Sequence, residues 1–161
     1  MISARRFAAL LCVGMTGAAS AAAPSPAEDS KTVARCIDAA RKDGGFAGNC
    51  IGAVADPCIK AARERDTAVE DAKACARREL GVWTARMRNA LALIGKSGGK
   101  DMLASVTAAQ KTWAASQNKL CPLFANIDPG AALGGADYCR LQETARRALV
   151  LERLGAAVSE H

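Results

Sequence analysis

The apolar positions of this chain fall into helical stripes. From about Asp66 to Gly95, Val69, Cys75, Leu80, Trp83, Met87, Leu91 and Ile94 recur mostly at steps of three to five, the pattern of a long amphipathic helix. Gly95 and Ser97-Gly98-Gly99 predict its stop. A helix from about Asp101 to Phe124 follows, with Leu103, Val106, Ala109, Trp113, Leu120 and Phe124 for its buried face. Pro122 predicts an end or kink near Leu120. Tyr138, Leu141, Ala145, Leu149 and Leu154 predict a last helix from about Ala136 to Val158. An earlier one spans about Lys31 to Lys42, with Val33, Ile37 and Ala40 on one face and Asp29 or Ser30 as its cap. The Gly-rich stretch from Phe46 to Pro57 reads as a loop, as does the segment from Asp128-Pro129-Gly130 to Gly134-Gly135. The expectation is an all-α, small four-helix domain over residues 31–161.

Residues 1–23 follow a different pattern. Arg5 and Arg6 precede an uncharged apolar run from Phe7 to about Ala19, and Ala18-Ala19-Ser20-Ala21-Ala22-Ala23 offers small-residue cleavage registers. This is the layout of a secretory signal peptide, and the run is shorter than the roughly 20 apolar residues a membrane helix needs. Residues 24–30, with two prolines, are expected to be a linker. Export followed by signal removal places the domain in the periplasm or outside the cell, without stable membrane insertion.

Export changes the meaning of the cysteines. Cys12 leaves with the signal, and Cys36, Cys50, Cys58, Cys75, Cys121 and Cys139 remain. An even number in an oxidising compartment predicts three disulfides. Cys121 ends one helix and Cys139 begins the next, so a bridge between them would close a helical hairpin. The other four cysteines allow three connectivities, among which the sequence does not choose. Cys50 with Cys58 suits a tight loop, which would leave Cys36 with Cys75. With few aromatic residues the core is modest, and cross-links of this kind would serve structure.

The formal charge of +6 falls to +4 once Arg5 and Arg6 are removed. Acids and bases alternate in Arg63-Glu64-Arg65-Asp66 and Glu70-Asp71-Ala72-Lys73, as on solvated helix faces. No basic stripe interleaved with aromatics occurs, so nucleic acid is not an expected partner. Candidate chemistry is sparse. His161, the single histidine, is the last residue, which leaves a histidine triad or metal cluster without a centre. There is no C-x-x-C pair, and Gly98-Gly99-Lys100 lacks the spacing of a phosphate loop. Glu79 and Glu143 are the carboxylates that a glycosidase-like reaction would call on. Trp83 and Trp113 lie on the stripes of the two longest helices and are expected to pack one on the other. No enzymatic activity, metal or cofactor is expected.

One constellation is more specific. Ala109-Gln110-x-x-Trp113 followed by Cys121, then Cys139-x-x-x-x-Thr144-x-x-Arg147-x-x-x-Leu151, resembles the C-terminal signature of the LprI-like lysozyme-inhibitor domain family. Cys75-x-x-Arg78-Glu79-Leu80-x-x-Trp83-x-x-x-Met87 is similar to that family's first helix, and Cys50-Ile51-Gly52 recurs in its envelope members. The resemblance covers about Cys50 to Leu154. It implies an exported, disulfide-containing helical domain that binds and inhibits lysozyme, with Glu79, Trp83, Gln110, Trp113, Thr144 and Arg147 as motif residues. The chain departs from the pattern where Ser116-Gln117-Asn118 replaces a Tyr-Arg-Asp run and where Arg88 replaces an Asn. Animal lysozymes are basic, so a domain of charge +4 gains no long-range steering toward them. Inhibition would then use a local feature, for which the loop between Cys121 and Cys139, with Asp128 and Asp137, is the candidate plug. The expected partner is a lysozyme or another envelope protein. The alternative is a structural or stress-related envelope protein that uses the fold without inhibiting lysozyme.

Overall fold

The computed structural model describes residues 25–63, 65–125 and 135–160. Residues 1–24, which hold the proposed signal, and His161 lie outside them. The described residues are all-α and disulfide-linked, as the sequence implies, but they form five helices rather than four: α1 (Pro26–Lys42), α2 (Ala55–Ala62), α3 (Ala68–Ser97), α4 (Gly99–Leu120) and α5 (Gly135–Ser159). Short 3-10 turns occur at Ala47–Cys50 and Cys121–Ala125.

Two boundaries correct the sequence reading. Most of the expected linker is helix, because α1 begins at Pro26 rather than Lys31. The cap is Ser25, not Asp29 or Ser30. Its hydroxyl accepts from the Glu28 N–H, and the Glu28 carboxylate accepts from the Ser25 N–H, which satisfies two orphan donors reciprocally. Pro26 in the first turn costs nothing there, since it lacks only an N–H that would have no partner. The stretch expected to be a loop up to Pro57 contains the start of α2, where Pro57 again occupies the first turn. Further along, the helix does end at Leu120, where Pro122 had placed the break.

The three long helices run up, down and up. Arg77 pairs with Asp137, Arg86 with Glu152, and Ser159 with Ser97, so α5 runs parallel to α3, while α4 returns between them in sequence. The seam between α3 and α5 is built from small residues. Ala72, Ala76, Ala90, Ala145, Ala148 and Gly155 are buried, which lets the backbones approach closely. A Cβ placed on Gly155 would sit 3.2 Å from the Leu93 side chain. Periodicity alone had favoured larger residues, yet Val69, Leu103, Leu120 and Phe124 are exposed. α4 buries only Val106 and is the most solvated of the long helices.

Two apolar clusters result. The larger joins Val33, Ile37, Val54, Ile59, Trp83, Leu141 and Leu149 around the ends of α1, α2, α3 and α5. The smaller, at the α3–α4 turn, holds Ala90, Ile94, Val106 and Leu151. The disulfides are Cys36–Cys50, Cys58–Cys75 and Cys121–Cys139. The hairpin bridge Cys121–Cys139 is as expected. The pairing of Cys50 with Cys58 and of Cys36 with Cys75 is not formed, because α2 lies between Cys50 and the α3 cysteine. Cys50 is instead carried back against α1, and Cys58, on α2, faces Cys75 on α3. No described helix is long and apolar enough to cross a membrane.

Candidate binding groove

The motif residues sort first by what they touch. Glu79 is fully buried in α3. Its carboxylate accepts from the backbone N–H groups of Gly52, Val54 and Ala55 and from the Trp83 indole N–H, all at 2.8 Å. Four donors on one carboxylate compensate the loss of water that would otherwise make a buried charge very costly. The arrangement pins the segment leading into α2 onto α3. Gly52 enables it with a φ of +99°, and a Cβ there would meet the Asp56 carboxylate at 2.3 Å, so this position requires glycine. Beside it the Arg78 guanidinium grips the buried Asp29 carboxylate at 2.6 and 3.1 Å, tying α1 to α3. Arg86 stacks over Trp83 at 5.6 Å and pairs with Glu152 at 2.8 Å.

The motif residues of α4 and α5 do similar work more weakly. The Gln110 carbonyl accepts from Arg147, and its amide N–H reaches the Met87 sulfur at 3.4 Å, so one side chain links α3, α4 and α5. Thr144 is buried in α5. Trp113 departs from expectation: it is half-buried and belongs to neither core cluster. α4 meets the body along a single stripe through Met102, Val106, Gln110 and Trp113, leaving its indole on the edge. Thus Glu79, Trp83, Gln110 and Arg147 hold elements together. Glu79 is sealed from solvent and does not border the opening that Glu143 lines, so these two carboxylates do not face each other across a cleft.

The open site lies elsewhere. A groove of about 690 Å³ runs between α2, the Cys121–Ala125 turn and α5. Ile59, Leu120, Phe124 and the Cys139 disulfide supply its apolar wall, and Lys60, Arg63, Glu143 and Arg146 its charged rim. Within its lining the Tyr138 hydroxyl donates to Asp56 Oδ1 at 2.6 Å. Burial, followed by the Asp56 carboxylate that accepts this proton, pushes the Tyr138 phenol well above the usual tyrosine range. Glu143 bonds to Arg146. Further along the same face of α5 a second pit of about 350 Å³ is lined by Phe46, Ile51, Leu149, Val150 and Arg153, and shares Gln142 and Arg146 with the first.

Of the two expected plug residues, Asp137 does not line this groove. Asp128 lies outside the described residues. Asp137 sits in the first turn of α5 and is engaged by Arg77 at 3.4 Å and Arg140 at 3.3 Å, so it braces the α3–α5 seam. Sequence reasoning missed the groove's α2 wall, Asp56, Lys60 and Arg63, because it missed α2. The signal was present, since Ala55, Ile59 and Ala62 are helically spaced and all buried, and Asp56-Pro57 is a sound first turn. Among the described residues no three His, Cys, Asp or Glu side chains converge as metal ligands. Compared with protein-family models, curated proteins and solved structures, the chain matches none of them, so the likeness to the LprI-like family rests on the residues quoted from the sequence.

Proposed function

We propose that this chain is an exported domain of the bacterial envelope that acts by binding a partner through a rigid surface, not by catalysis. The observation that carries this reading is the groove along α5, where an apolar wall, a charged rim and a disulfide lie on one face. The three disulfides suit an oxidising compartment. A surface held in this way loses little entropy when it binds. The resemblance implies a lysozyme-type muramidase as the partner to try first.

The test is turnover of peptidoglycan by a c-type lysozyme, with and without the oxidised domain lacking residues 1–23, titrated to excess and repeated after reduction. Saturable inhibition that disappears on reduction is the outcome expected of a lysozyme inhibitor. No inhibition by a protein shown to be folded by circular dichroism removes lysozyme as the partner.

A second reading is favoured by a specific observation. Apart from Trp113, the motif residues that carry the resemblance are spent on packing, with Glu79 and Trp83 fully buried. A protein can keep such residues for its fold and use its outer surface for another envelope partner.

A further inference from the structure

We infer that the α5 face is a docking surface for an acidic, amphipathic helical segment of another protein. This rests on the reading of the chain as a binding domain, and it names the surface and the chemistry of the partner.

The two pits are neighbours. Both open on one flank of α5, from Gly135 to Arg153, and both are bordered by Gln142 and Arg146. At 1.5 Å per residue this flank is about 27 Å long, the length of a helix of about 18 residues. The opposite flank of α5, with Leu141, Ala145, Ala148 and Leu151, is buried in the domain, so among the described residues the grooved flank is the one left for a partner. Large apolar side chains stand exposed at both ends: Leu120 and Phe124 at 41% and 40% beside the first pit, Phe46 and Val150 at 64% and 46% beside the second. Two separated apolar anchors are what a groove-binding helix requires.

Charge selects the sign of the partner. Lys60, Arg63, Arg146 and Arg153 rim the two pits and are exposed, against two acids, Asp56 and Glu143. Both acids are already engaged, Asp56 by the Tyr138 hydroxyl and Glu143 by Arg146. Among the described residues Lys60, Arg63 and Arg153 form no ion pair. Among the described residues the face therefore offers three cations, Lys60, Arg63 and Arg153, with no ion-pair partner beside apolar pits, which complements carboxylates flanking apolar anchors. It disfavours a basic partner, so it aligns with an envelope protein other than an animal lysozyme.

The experiment uses two synthetic 18-residue helical peptides with identical Leu and Phe anchors, one with Glu and one with Lys at every charged position. Each is titrated into the oxidised domain and followed by fluorescence anisotropy. The Glu peptide is expected to bind at least about tenfold more tightly than the Lys peptide, and to weaken as salt rises. Arg146→Glu with Arg153→Glu should abolish that preference. Val150→Ser should weaken the Glu peptide with the charges untouched. All three positions are exposed, and unchanged thermal melting checks that the variants remain folded. Equal affinity for the two peptides, or indifference to both sets of substitutions, overturns the proposal. So does binding to phosphatidylglycerol vesicles without binding to the Glu peptide, which would assign the face to a membrane. Because the lysozyme assay reads inhibition and this one reads charge preference, each can fail alone.

Discussion

The two ends of the molecule solve the same problem with different chemistry. At the end where α1, α2 and the first half of α3 meet, two disulfides and the buried carboxylate of Glu79 converge within one apolar cluster. At the α3–α4 turn there is no disulfide, and the cluster is four buried residues, two of them no larger than valine. Short, irregular chain at the first end cannot satisfy its own backbone N–H groups, so a side chain must do it, and covalent bonds tie that chain to α1 and α3. Long helices at the other end satisfy their own backbones, and small residues suffice to seat one on another. Two of the three cross-links thus mark where the chain is least regular.

The comparison breaks most sharply at Glu79. In Glu79→Gln the new amide turns an N–H toward donors that all need an acceptor, leaving at least one buried N–H without a partner. The expected loss is about 3–5 kcal/mol, measured by urea unfolding of the oxidised protein. Most of it should appear in the Gly52–Ala55 segment, whose amide protons would exchange with solvent faster than those of α5. A loss under about 1 kcal/mol would mean that the carboxylate is not what holds this end.

At the seam the sensitivity is to volume rather than charge. Gly155→Leu pushes a side chain into Leu93 and the Ala90 carbonyl, both within 3.6 Å of where its Cβ would lie. Overpacking of this kind costs about 1–3 kcal/mol and should lower the melting temperature with little change in exchange near the disulfides. Gln110→Ala removes the side chain joining Met87 and Arg147, and at this half-buried site the expected cost is about 1 kcal/mol. Its effect should be confined to α4, which detaches more readily than α3 because it buries a single residue. Uniform loss of protection over all helices would contradict that ranking.

What was legible in the sequence follows the same division. The long helices were readable because each carries a repeating stripe, and the Cys121–Cys139 bridge was readable because two such helices flank it. The irregular end was not. Ser25 and Glu28 form a capping box, yet neighbouring prolines drew the segment toward a linker. With α2 unseen, two cysteine pairings were misassigned in the preferred connectivity. Buried alanines in the α3–α5 seam were hidden as well, since alanine does not announce a face. The groove followed, because one of its walls is α2. Trp83 was readable as a packing residue from its stripe, whereas the inward orientation of Glu79 depends on tertiary contacts that spacing does not encode.

The groove itself permits the finest distinction, because the chain contains one tyrosine. Tyr138 therefore supplies the whole tyrosinate signal in an ultraviolet titration. Its phenol is raised above the ordinary value of about 10, first by burial and then by its bond to Asp56. A folded-state value above the unfolded one means that the folded protein holds the proton more tightly. The associated stability is complete below about pH 10 and is lost as pH rises beyond it. Asp56→Asn should lower the midpoint only part of the way, because burial is the larger cause and remains. Unfolding in denaturant should restore the ordinary value. Recovery of the ordinary value by Asp56→Asn alone would show that one carboxylate, not burial against the groove's apolar wall, governs this phenol.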